Sequence, residues 1–151
     1  MRLMMQTKPW LALALLLGVA GAHAQPAGAA SVDKAMQAKS IAEAMSALGV
    51  VNPEAGKRVL LEAPDVAVRG KPLPVKVSSQ MPGTDWIAIL SERSPTPLVQ
   101  VQEYSPGADR SLALDVKMEQ TGRLRAIVRA GGKYYQVARE VKLADQGCRQ
   151  K

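Results

Sequence analysis

The one cysteine of the chain, Cys148, is the residue best suited to covalent chemistry, and it stands near the C-terminus in Leu143-Ala144-Asp145-Gln146-Gly147-Cys148-Arg149-Gln150-Lys151. An unpaired cysteine is usually a buried small hydrophobe, but this segment is polar or small throughout and offers nothing to bury it. Arg149 and Lys151 beside it favour the thiolate and attract anionic sulfur compounds. Gly147 supplies a hinge. Counted from Leu143, an extended tail carries the sulfur about 17 Å outward at about 3.3 to 3.6 Å per residue. A sulfur on such an arm suits a carrier that presents a covalently held group to other proteins. It poorly suits an enzyme whose nucleophile must be held against a base and an oxyanion hole. Asp145 is at most a weak orienting group and reads as a solvated tail residue. The residues alone leave open whether Cys148 is a reactive arm, an incidental thiol or half of an intermolecular disulfide.

Composition removes most alternatives. The only histidine is His23, inside a segment that reads as a cleaved leader, which excludes His-dependent triads and His-ligated metals from the rest. One cysteine allows neither an intrachain disulfide nor a zinc or iron–sulfur cluster. A stripe of methionines at helical spacing reads as core filler, so no metal and no cofactor is expected. The net charge is +7; after residue 24 there remain 18 cations against 13 acids, a net +5. That bias is mild, and base-stacking aromatics are few, so nucleic acid is not an expected partner.

The framework that carries Cys148 begins with a leader. Residues 1–24 combine Arg2 and Lys8, the apolar run Trp10 to Ala20, and Ala22-His23-Ala24, a small-x-small cleavage pattern. They read as a Sec-type signal peptide cut after Ala24, and the run is too short to span a bilayer. The protein is therefore expected in the periplasm or outside the cell, with no membrane segment. Residues 25–57 hold a small-residue linker and an amphipathic helix over 31–48. Val32, Met36, Ile41, Met45 and Leu48 recur at helical steps, Ser31 caps the start with Asp33 in the first turn, and Gly49 and Asn52-Pro53 end the helix.

Residues 58–143 change period. Seven runs read as strands: 58–63, 73–79, 86–91, 98–104, 112–118, 123–130 and 133–143. Leu112, Leu114, Val116 and Met118 alternate with polar residues. So do Leu124, Ala126 and Val128 with Arg123, Arg125 and Arg129. Gly131-Gly132 predicts a tight hairpin, and the prolines fall in connections or at strand edges. Seven such strands without intervening helices predict an all-β, immunoglobulin-like antiparallel β-sandwich. The helix is expected to be an appendage, and Trp86 a plug between the sheets. Arg123, Arg125, Arg129, Lys133, Arg139 and Lys142 read as a solvated face rather than a docking patch. Tyr104, Tyr134 and Tyr135 suit an interface or core edges equally. The last strand, if exposed, can pair with another sheet. Residues 144–151 form the flexible tail bearing Cys148.

Several stretches together resemble the SoxY family of bacterial thiosulfate oxidation: Arg58-Val59-Leu60-Leu61-Glu62-Ala63-Pro64, Gly70-Lys71-Pro72-Leu73-Pro74-Val75-Lys76-Val77, and Trp86 through Val99. Ser105-Pro106-Gly107-Ala108, Ala130 through Tyr135, Arg139-Glu140-Val141-Lys142 and Gly147-Cys148 continue the likeness, which spans about residues 40–148. The resemblance implies an Ig-like sandwich paired with a second β-sandwich subunit, SoxZ, and a non-catalytic role in which Cys148 carries sulfur intermediates. It also implies three partner enzymes: a haem protein that joins thiosulfate to the cysteine, a hydrolase that releases sulfate, and a sulfane dehydrogenase. Family members typically end Gly-Gly-Cys-Gly-Gly, whereas here Cys148 is followed by Arg149-Gln150-Lys151, a bulkier and positively charged tip with less backbone freedom. The twin-arginine leader common in the family is not visible. The alternative, an adaptor sandwich whose cysteine only forms an intermolecular disulfide, predicts a covalent dimer; a thiol enzyme acting alone predicts turnover by the single chain.

Overall fold

Each of the seven predicted runs forms a strand. The computed structural model describes residues 29–145. In chain order the elements are α1 (Ala29–Met36), α2 (Ile41–Ala47), β1 (Glu54–Ala55), β2 (Val59–Glu62), β3 (Val66–Val68), β4 (Pro72–Ser79), β5 (Thr84–Ser91), β6 (Leu98–Glu103), β7 (Ser111–Lys117), β8 (Gly122–Ala130) and β9 (Lys133–Ala144). They build an Ig-like β-sandwich. One sheet is antiparallel β2-β4-β7, and the other runs β9-β8-β5-β6, also antiparallel, with β1 and β3 added along the far side of β9.

Alternation sets the inner faces. In β4, Leu73, Val75 and Val77 point inward and are buried, while Pro72, Pro74 and Lys76 are exposed. They meet Ile87, Ile89, Leu124, Ala126, Val128 and Val141 of the other sheet, and each larger aliphatic side chain so buried contributes about 1.5 to 3 kcal/mol. Pro72 and Pro74 lie in a strand between two others. However, β2 reaches along β4 only to Lys76, so both prolines sit where β4 has β7 alone as neighbour. Gly131 and Gly132, at φ +58 and +76, make the two-residue turn that pairs Ala130 with Lys133.

Several expectations are corrected. The single long helix is two, because Ser40 takes an extended conformation (φ −140, ψ 158), and its hydroxyl accepts from the Glu43 amide at 3.1 Å. The Glu43 carboxylate in turn accepts from the Lys39 amide at 2.7 Å. This Ser-x-x-Glu cap, a variant of the capping box in which the carboxylate takes the amide one residue before the N-cap, restarts the helix, so Ser31 falls inside α1 and Asp33 beyond its first turn. Gly49, at φ +72, ends α2 as expected.

The helices are not an appendage. Ala35, Ala38, Ala44 and Leu48 pack with Trp86, Ala88, Leu90, Leu98 and Ile127 on the outer face of the larger sheet, forming a third layer. Trp86 therefore lies under the helices, not between the sheets, because Ile87 and Ile89 own the inward parity of β5. Its ring meets Tyr134 edge-on at 6.2 Å, and the Arg129 guanidinium sits 5.9 Å from its centroid.

The last strand is not an open edge. β1 pairs with it in parallel at Tyr135 and Gln136, and β3 does so from Lys142 to Ala144. These parallel pairs also depart from an all-antiparallel sandwich. The open side of this sheet is β6, where side-chain amides of Gln100 and Gln102 donate to the carbonyls of Val101 and Glu103 at 3.1 and 2.9 Å. Among the described residues, no helix is long and apolar enough to cross a membrane.

Candidate functional site

Cys148, Gly147, Arg149 and Lys151 lie outside the described residues, as do the leader with His23 and its cleavage site. The described residues do include the root from which the tail extends. β9 runs to Ala144, one residue further than expected, with β8 on one side along Gly122–Ala130. On its other side β3 lies parallel, and the Lys142 amide donates to the Asp65 carbonyl at 2.9 Å while the Arg69 amide donates to the Ala144 carbonyl at 3.1 Å. The Leu143 amide donates to the Thr121 hydroxyl at 2.9 Å.

Arg69 closes the arrangement. Its Nε donates to Asp145 Oδ1 at 2.9 Å, and its Nη1 donates to the Glu119 carbonyl. Gly70, at φ +71, turns the chain from β3 into β4, and its amide donates to the Met118 carbonyl at 3.3 Å. The segment ahead of Cys148 is thus held through Asp145, not released at Leu143. Three residues rather than five separate the last held position from the sulfur, a span of about 10 Å when extended. Asp145, read as a solvated tail residue, is an ion-pair partner.

The cationic stretch is largely paired to acids. Arg125 bonds Gln136 at 2.6 Å and Glu92 at 3.3 Å. Arg129 bonds Asp85 at 2.8 Å, and that hydrogen bond holds its guanidinium more firmly protonated than usual. Arg139 bonds Asp65 at 2.8 Å, and Lys133 lies 3.9 Å from Glu54. The exposed pairs among these, Arg139–Asp65 and Lys133–Glu54, contribute at most about 1 kcal/mol each. The tyrosines fill core edges: Tyr135 packs against the intersheet core and Tyr134 against the helix layer. The Tyr104 hydroxyl donates to the Ser111 carbonyl at 2.8 Å.

A surface cavity of about 680 Å³ is lined by residues including Glu62, Pro74, Lys76, Ala113, Asp115 and Arg139. Its carboxylates and cations are mixed, and no cysteine, serine or threonine is among its lining residues. Among the described residues, no group of three or more His, Cys, Asp or Glu side chains is placed to hold a metal ion. Sequence reading missed Arg69, Asp65 and Thr121, which hold the tail root. The available signal was Val66-Ala67-Val68, a run of three between Pro64-Asp65 and Arg69-Gly70, too short to mark a strand by periodicity.

Comparison with known proteins agrees with this architecture. A family model described as sulfur oxidation protein SoxY matches residues 44–148. Among solved structures, the chain is similar to the sulfur carrier protein SoxY from Chlorobium limicola f thiosulfatophilum, with 29% identity and a TM-score of 0.62 over 66% of this chain and 91% of that one. Two structures of superoxide reductase (neelaredoxin) from Ignicoccus hospitalis share the fold alone. Both are 22% identical, with TM-scores of 0.53 and 0.52, covering 60% and 57% of this chain and 82% and 80% of theirs. No curated protein matches.

Proposed function

The chain belongs to the SoxY family, and from that premise we propose that it is an exported, periplasmic carrier that holds sulfur intermediates covalently on Cys148. The observation that carries the reading is the likeness to a solved sulfur carrier protein along nine-tenths of that protein's length, joined to a single cysteine near the end of this chain. The thiolate of Cys148 is the acceptor, Gly147 the hinge, and Arg149 and Lys151 the charges that favour the thiolate and draw an anionic sulfur compound toward it.

Loading with thiosulfate joins the cysteine sulfur to the terminal sulfur of thiosulfate and removes two electrons. The electrons pass to a haem-containing conjugating protein, because the carrier has no group to receive them. Hydrolysis of the outer sulfur–sulfur bond then releases sulfate and leaves a persulfide on Cys148, which a sulfane dehydrogenase oxidises. The carrier contributes the nucleophile and its delivery and performs no turnover alone. A SoxZ-like β-sandwich subunit is its expected structural partner. The residues divide accordingly into leader (1–24), linker and helices (25–57), sandwich (58–143) and carrier tail (144–151), the first two tail residues being held at its root.

The test is intact mass under non-reducing conditions, before and after reduction, on protein from sulfur-oxidising cells and on its Cys148→Ser variant. Reducible sulfur additions confined to the parent chain are expected. A variant that still gains sulfur, or a parent chain found only as free thiol or disulfide-linked dimer, overturns the reading, the dimer in favour of the adaptor alternative.

A further inference from the structure

We propose that Arg69 is a positioning residue for Cys148, a latch that fixes where and in which direction the carrier tail leaves the sandwich. The inference rests on the carrier reading, but its basis is the described root. Five contacts converge on the last four described residues. β3 pairs with Lys142 through Ala144, the Lys142 amide reaches Asp65, and the Leu143 amide reaches Thr121. The Arg69 backbone binds Ala144, and its side chain binds Asp145. Among the residues at the root, Arg69 joins three segments, because the same guanidinium also donates to the Glu119 carbonyl in the β7–β8 connection.

A strand needs no such closure for its own stability. β9 already has β8 along nine positions, and an exposed pair such as Arg69–Asp145 adds little to folding. Its consequence lies in the tether beyond Asp145. Every residue released from the root lengthens the tether on which Cys148 is displayed, and the effective concentration of a tethered group at a partner falls steeply with tether length once the span is met. Arginine suits the role because its planar fork serves a carboxylate and a carbonyl together, which a lysine ammonium does less well.

Cys148 is the only cysteine, so a spin label there and a second on Lys133→Cys, at the far end of β9, report the tail's distance distribution by pulsed dipolar spectroscopy across a strand of about 36 Å. Arg69→Ala and Asp145→Asn are expected to broaden that distribution equally, their combination no further, and Arg69→Lys to restore it in part. In loading by the conjugating partner, Arg69→Ala should raise KM about fivefold, the scale of one surface pair, with kcat unchanged. Alkylation of Cys148 by a small neutral reagent should be unaffected. An unchanged width or an unchanged KM overturns the latch. Broadening in a protein that never acquires sulfur leaves the latch standing and removes the carrier reading.

Discussion

Tyr104 shows how one hydroxyl can tie a connection shut and give the fold an alkaline limit. Its backbone amide donates to the Asp85 carbonyl at 2.9 Å, and its hydroxyl donates to the Ser111 carbonyl at 2.8 Å, so it spans the start and end of the β6–β7 connection. Burial, and secondarily the Asp109 carboxylate, make the phenol a weaker acid and push its pKa above the ordinary tyrosine value of 10.0. Raised in this direction, the protonated phenol is the form the folded state prefers. The stabilisation is complete below about pH 10, and it is lost as pH climbs through the raised folded value, when the donor proton leaves. Tyr104→Phe is expected to lower the unfolding free energy by about 1 kcal/mol at about pH 7, the worth of one neutral hydrogen bond. It should also flatten the decline of the urea midpoint above about pH 10. A variant with the same midpoint and the same alkaline slope as the parent would refute this role. Arg129 is shifted in the same sense by Asp85, but it is charged at every accessible pH and adds no such window.

At the scale of elements, what could be read in the sequence depended on how many side chains voted. β4, β7 and β8 each contribute three or more inward positions at period two, so their faces were legible as well as their extents. β5 was legible as a strand, but its facing was not. Trp86-Ile87-Ala88-Ile89-Leu90 is apolar at both parities because both faces are covered, and nothing local says which cover is sheet and which is helix. β1 and β3 have two and three residues, below any periodicity, and are specified by a partner 81 and 76 positions away in the sequence. Because β3 bounds the tail root, the part of the candidate site least legible in sequence is the part that non-local pairing builds. The helix break was present as Ser40 and Glu43, but the apolar stripe runs through it in register and masks it. Ser40→Ala should cost about 1 kcal/mol by removing the cap, and Ser40→Gly only a few tenths, read from urea midpoints. Equal losses would mean that the extended backbone, not the hydroxyl, sets the break.

For the whole molecule, three layers share two cores, and the larger sheet belongs to both. The intersheet core is closed by the sandwich itself, whereas Trp86, Ala88, Leu90, Leu98 and Ile127 are buried only because α1, α2 and Val50 lie over them. The match to the SoxY family begins at residue 44, within α2, so α1 with its buried Ala35 precedes the matched region and still completes the layer. A chain starting at residue 51 should keep its two-sheet core and lose the cover, leaving a contiguous apolar face of the kind that drives association in water. Trp86 is the only tryptophan after Trp10, so in protein without residues 1–24 its fluorescence reports that face alone. The truncated chain is expected to show red-shifted emission when kept dilute and to self-associate as concentration rises. A chain starting at residue 40 should show a smaller shift, because α2 remains. A truncated chain that stays monomeric with unshifted emission would mean that the outer face is closed without the helices, and that the third layer is the appendage its composition first suggested.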